Sequence, residues 1–159
     1  MRMVFWAGFW AFLIDQISKY VLLHVLDLAT VRAIDVAPPL LNLRYGENRG
    51  INFGLFGDAP EAVRWVLIGF AFVVIAAVLW WVRRHDDNRL MMLSAGLLVG
   101  GALGNVVDRL VYGYVFDFLN MSCCGIDNPF VFNIADIFIF AGAIGLILFE
   151  GRGTRKNPS

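Results

Sequence analysis

Charge is scarce in this chain of 159 residues: Asp, Glu, Lys and Arg make up 16% of it, against roughly 25% in an ordinary soluble domain. Net charge is absent as well, 13 basic residues offsetting 13 acidic ones, so bulk electrostatics offer no hold on nucleic acid. Cysteine is confined to the adjacent Cys123 and Cys124, and histidine to His24 and His85. These exclude a small fold framed by disulfides and leave no set of residues with zinc-ligand spacing. Internal repeats and low-complexity tracts are missing too, which argues against an inverted-repeat transporter. What fills the chain is apolar: 59% of residues are hydrophobic and 14% aromatic. That composition belongs to a membrane protein.

A bilayer core of about 30 Å takes about 20 mostly apolar residues as a helix, since only a helix or a closed barrel satisfies its own backbone there. Four stretches qualify, at about 3–26, 63–82, 90–107 and 130–149. The first begins like a cleaved leader, but Asp15 and Lys19 interrupt it, apolar residues resume to Leu26, and no small-residue cleavage site follows; it is expected to be a permanent span. With four spans, Arg2, Arg83, Arg84, Arg89, Arg152, Arg155 and Lys156 fall on one side. Short cytoplasmic loops collect Lys and Arg, so both termini are expected in the cytoplasm. Segments 27–62 and 108–129 then face outward, and residues 1–159 form one integral membrane domain.

The outward segments have structure of their own. Leu41-Asn42-Leu43-Arg44-Tyr45 alternates apolar and polar residues as a half-buried strand does, and Pro38-Pro39 before it resists helix. Gly46, Gly50, Gly54 and Gly57 punctuate the apolar stretch that follows. The expectation is a small strand-containing flap at the outer interface, on an otherwise all-α membrane fold.

Few ionisable residues lie within the spans, and each costs about 2.5–3.5 kcal/mol or more at a helix centre. Asp15 and Lys19 are four apart and share a helical face, so a structural ion pair is the simplest reading. A nucleophile built from Ser18 and Lys19 is disfavoured, because adjacent helical residues point about 100° apart. Gly96, Gly100 and Gly104 form a stripe for close helix approach. Asn105, Asp108 and Arg109 continue at i, i+3 and i+4, on one face near the outer end. Arg there can hold a carbonyl or phosphate oxygen of a lipid-like ligand, or simply anchor the interface.

Asp117 and Asp136 carry the strongest chemical signal. Asp136 is placed about six residues into the fourth span, about 9 Å below its outer boundary, with Asn133 on the same face. Asp117 lies 19 positions earlier, across a segment with the turn residues Gly125, Asn128 and Pro129. Two carboxyls in one low-dielectric site share a proton. One can then deprotonate water while the other protonates a carbonyl or a leaving nitrogen. Separate structural acids are the other reading of the same residues. Two further readings are a proton or ion route lined by Asp15, Lys19 and Asp136, and a divalent cation held by Asp108, Asp117 and Asp136. Most of the polar groups gather at the outer side, against the route, and Arg109 and Lys19 disfavour the cation.

Taken together, these motifs resemble those of the bacterial lipoprotein signal peptidases, or signal peptidase II. Asp15-Gln16-Ile17-Ser18-Lys19 is similar to the family's first-helix motif, and Asn48-Arg49-Gly50-Ile51-Asn52-Phe53 to its Asn-x-Gly-x-x-Phe segment. Gly100-Gly101-Ala102-Leu103-Gly104-Asn105, Asp108-Arg109, Gly113 and Val115 to Phe118 resemble its third motif, and Phe132-Asn133-Ile134-Ala135-Asp136 its last. The resemblance covers the whole chain and implies an intramembrane aspartic endopeptidase of the bacterial inner membrane. Such an enzyme cuts prolipoproteins just before a diacylglyceryl-modified cysteine, without metal or other cofactor. Carried over by position, it implies Asp117 and Asp136 as the catalytic pair. Asn48, Gly50, Asn105, Arg109 and Asn133 become substrate-positioning residues, and Asp15 and Lys19 structural support. Lipid-modified precursors and membrane lipids are the implied partners of a monomer, and an amphipathic interfacial helix is implied near residues 58–64. Cys123-Cys124 stands outside the family's pattern.

Overall fold

The computed structural model describes residues 1–50, 60–84, 88–123, 125 and 128–150. Helix α1 runs Arg2–Tyr20 and continues through a π-helical turn, Val21–Val25, into the short α2, Leu28–Val31. Strands β1, Ala33–Ala37, and β2, Leu41–Asn48, precede the long helices α3, Pro60–Arg83, and α4, Arg89–Val111. Strand β3, Val115–Asn120, and helix α5, Ile134–Phe149, complete the order. The strands form one antiparallel sheet in the order β1-β2-β3.

Helix α4 is the hub, packing against α1, α3 and α5. Its glycines explain how. A Cβ on Gly104 would stand 2.6 Å from a carboxylate oxygen of Asp15 on α1, and one on Gly101 would stand 2.5 Å from the carbonyl oxygen of Ala135 on α5. Glycine on two faces of one helix therefore lets two neighbours approach at backbone distance. Asn88 caps α4, its Oδ1 accepting the N–H groups of Leu90 and Met91. The bundle core gathers Val78, Val82, Met91, Ala95, Leu98 and Leu146. A second core, under the sheet, joins Leu22 and Leu28 to Phe116 and Phe118.

Helices α3 and α4 are each long and apolar enough to cross a membrane, while α5 is apolar but shorter. The outer surface of the bundle is apolar as well, with Trp6, Trp10, Val66, Phe70, Val73, Phe140 and Ile147 exposed. Boundaries differ from the sequence expectations where side chains intervene. Helix α5 starts at Ile134 rather than near 130, because Asn133 and Asp136 form a reciprocal capping box. Asp136 is thus the third residue of its helix and sits in the first turn, not six residues deep. The strand expected at 41–45 extends to Asn48, and its partners are β1 on one side and β3 on the other. Of the interfacial helix expected at 58–64, positions 58 and 59 lie outside the described residues, as does the stretch 51–57. Residues 60–64 form the first turn of α3, not a separate helix.

Candidate active site

Strand β3 and the first turn of α5 meet at one end of the bundle and bring Asp117 and Asp136 into the same site. Val115, Phe116 and Phe118 are buried apolar residues that hold β3 in place, and Asp117 pairs across the ladder with Gly46 of β2. A Cβ at Gly46 would lie 3.3 Å from the Asp117 carbonyl oxygen and 3.6 Å from its Cβ. Glycine there keeps the space beside the acid open. A cavity of about 270 Å³ occupies it, lined by Gly46, Glu47, Asn48, Asp117, Pro129, Phe130 and Val131. A larger apolar cleft of about 600 Å³, lined by Phe5, Phe12, Leu79, Val99 and Leu103 among others, contains no acid.

Amides link the two carboxyls. Asn48 Nδ2 donates to Asp117 Oδ2 at 3.0 Å, and Asn133 Nδ2 donates to Asp117 Oδ1 at 2.6 Å and to Asn105 Oδ1 at 3.2 Å. Asn105 Nδ2 in turn donates to Asp136 Oδ1 at 2.9 Å, while the Asn133 backbone N–H donates to Asp136 Oδ2 at 3.2 Å. Asn133 is fully buried, and Asp117 is 3% exposed; Asp136 is half-buried. Burial pushes the Asp117 carboxyl up to about 6; the Asp136 charge pushes the same way, and hydrogen bonds from Asn48 and Asn133 oppose both. Asp117 therefore retains its proton into the mildly acidic range, and an acid of that kind beside a second carboxyl is suited to combined acid and base work.

Arg109 lies beside this relay, its Nη1 donating to the Asn105 carbonyl oxygen at 3.2 Å. The acids whose charges reach it are Asp136, Asp108 and Asp117, Asp136 most strongly. Gly50, at φ +89°, donates its N–H to Asn48 Oδ1 at 2.9 Å, so the turn it permits fixes the amide that holds Asp117.

Asp15 and Lys19 form a second, buried cluster. Asp108, three residues after Asn105 on α4, joins them through Lys19, whose Nζ lies 2.7 Å from Asp108 and 2.8 Å from Asp15. The reason is electrostatic: a buried carboxylate needs a cation, and Lys19 supplies one. Asp15 and Lys19 are accordingly two members of a triad rather than a self-contained pair. Ser18 donates to the Asp15 carbonyl oxygen at 2.6 Å, away from Lys19. Among the described residues no three His, Cys, Asp or Glu side chains could hold a metal ion together. Cys123 is disulfide-bonded.

Two contributors escaped the sequence reading. Gln16 Nε2 donates to Asp15 and to Asp108, at 3.1 Å each, and its place beside Asp15 in the first-helix motif is the signal that could have found it. Strand β3 was not anticipated either, although Val115-Phe116-Asp117-Phe118-Leu119 is rich in β-branched and aromatic residues.

Comparison with known proteins identifies the family. A protein 43% identical over 135 residues, spanning 85% of this chain and 80% of its own length, is the lipoprotein signal peptidase of Methylobacterium sp. (strain 4-46). The lipoprotein signal peptidase of Nostoc sp. (strain PCC 7120 / SAG 25.82 / UTEX 2576) is 36% identical over 157 residues, spanning 98% of this chain and 92% of its own. A bacterial membrane enzyme solved by the in meso method at 1.9 Å resolution superposes with a TM-score of 0.77 at 26% identity, covering 97% of this chain and 96% of that one. The family model described as signal peptidase (SPase) II matches residues 8–150, a stretch that holds both acids, the amide relay between them and the buried triad. By that match and those relatives, the chain belongs to the signal peptidase II family.

Proposed function

We propose that this protein is an intramembrane aspartic endopeptidase. It removes the signal peptide from diacylglyceryl-modified prolipoproteins by cutting just before the lipidated cysteine. The observation that carries the reading is the pair of acids from separate elements, Asp117 on β3 and Asp136 on α5, joined through Asn133 and Asn105. One carboxylate accepts a proton from water as it attacks the scissile carbonyl. The other gives its proton to the carbonyl oxygen and supports departure of the nitrogen. Burial favours Asp117 as the holder of the shared proton. The amides of Asn48, Asn105 and Asn133 orient the acids and, with Gly50 and Arg109, the substrate. Arg109 is suited to the lipid's carbonyl oxygens through its paired donors.

The apolar outer surface supports a bundle solvated by lipid, with α1, α3, α4 and α5 as four spans, and the placement of Arg and Lys supports cytoplasmic termini. The sheet and the acids then lie at the outer face, where a lipid-anchored precursor presents its cleavage site. One chain supplies every group of the site, so a monomer suffices, and the chemistry needs no cofactor. The test is cleavage of a synthetic prolipoprotein, with and without its diacylglyceryl group, by purified protein in detergent containing chelator. Wild type is expected to cut only the lipidated form, and folded Asp117→Asn and Asp136→Asn to cut neither. Turnover by either variant would overturn the two-acid mechanism, and loss of wild-type activity in chelator would overturn the metal-free one.

A further inference from the structure

The buried triad reaches both acids through the backbone. Asp15 Oδ1 accepts the N–H of Ala135 at 3.0 Å, and Ala135 immediately precedes Asp136. Asp108 Oδ2 accepts the N–H of Phe116 at 3.2 Å, and Phe116 immediately precedes Asp117. Lys19 Nζ ties these two carboxylates together at 2.8 and 2.7 Å, and Gln16 Nε2 ties them a second time. Asp15 and Asp108 are fully buried and Lys19 is 3% exposed, so water does not compete for these bonds. The backbone groups they hold come from different elements, the first turn of α5 and the first half of β3. Asp15 also places a negative charge at the N-terminus of α5, which the helix dipole favours. A buried ion cluster is seldom worth more in stability than apolar packing of the same volume. What it adds is a fixed geometry.

Building on the two-acid reading above, we infer that Asp15, Lys19 and Asp108, with Gln16, are positioning residues that set the spacing between Asp117 and Asp136 by clamping the peptide before each. Asp108 is the decisive member, since its carboxylate joins the triad to β3. Misplacing a reacting group by about 1 Å can cost about 100-fold in rate. The clamp acts on the acids and leaves the substrate's contacts in place, so its loss belongs in kcat and not in KM.

The experiment compares Asp108→Ala, Asp108→Asn and wild type on the lipidated precursor, with melting temperature recorded for each. Alanine removes the acceptor for the Phe116 N–H, whereas asparagine keeps a carbonyl oxygen there. The expected result is a kcat about 100-fold lower for Asp108→Ala with KM within about twofold of wild type, and recovery to within about tenfold for Asp108→Asn. Wild-type kcat in the alanine variant, a loss carried by KM, or an asparagine variant as slow as alanine would each overturn the clamp. Should Asp108→Ala fail to fold, Gln16→Met carries the same test: it removes one tie and leaves the ion triad standing. A kcat about tenfold lower at unchanged KM is then expected, and wild-type kcat overturns the inference. Asp117→Asn and Asp136→Asn run in parallel. Their inactivity with an unaffected Asp108→Ala would overturn the clamp alone, whereas their turnover would overturn the two-acid reading and the clamp with it.

Discussion

Asn133 shows how much one residue carries in this site. Its Oδ1 accepts the Asp136 N–H at 3.0 Å and caps α5, while its Nδ2 is divided between Asp117 and Asn105. The spacing of Asn133 and Asp136 was legible in the sequence, because i and i+3 share a helical face. The reach to Asp117 was not, since it depends on how β3 folds back. Asp117 itself bears a stability cost. Its carboxyl titrates near 6 in the folded protein, against 3.8 as its ordinary value, so the folded state binds that proton more tightly than the unfolded chain. The associated stability is fully present below about pH 4 and is lost as pH rises through about 6. Asp117→Asn does not titrate, so its stability relative to wild type should rise between those limits and reach a gain of about 1–3 kcal/mol at pH 8. Melting curves of both proteins from pH 4 to 8 check this, and parallel curves would contradict the raised value. A more stable yet inactive variant is what an acid kept for chemistry predicts.

At the scale of elements, the glycine stripe of α4 was readable from its four-residue spacing, and the helix packs as that spacing implies. The sheet was only half readable. Strand β2 declared itself by alternation, but β3 is buried almost throughout, and continuous burial removes the alternation that marks a strand. The packing of α4 yields a matched pair of substitutions. A side chain at Gly100 would run into the Gly8 carbonyl oxygen and the Ala11 Cβ of α1, whereas a Cβ at Gly69 on α3 meets nothing within 4 Å. Gly100→Val is therefore expected to cost about 1–3 kcal/mol or more by overpacking. Gly69→Ala should be neutral, or stabilising by about 0.5–1 kcal/mol through helix propensity. Thermal unfolding in one detergent compares them directly. Equal losses at both positions would show that α1 and α4 do not meet along this stripe.

At the scale of the whole molecule, the proposed mechanism depends on orientation, because a lipid-anchored precursor emerging at the outer face must find the acids there. The sequence argues for that orientation only through the positions of a few basic residues. It could not express which polar groups converge, since Asp15 and the Ala135 N–H that it accepts are 120 positions apart and meet only when α1 and α5 assemble. Arg44 on β2 and Arg84 just after α3 are both exposed, and the proposed four-span arrangement would put them on opposite sides of the bilayer. Single substitutions Arg44→Cys and Arg84→Cys can therefore be labelled in spheroplasts with a membrane-impermeant maleimide, without reductant so that the disulfide of Cys123 stays closed. Arg44→Cys should react in intact spheroplasts, and Arg84→Cys only after permeabilisation. Reaction of both in intact spheroplasts would mean that α3 does not cross. The reverse pattern would put the acids at the cytoplasmic face, where a precursor still threading outward has not yet presented its lipidated cysteine, and the proposed order of lipidation before cleavage would fail with it.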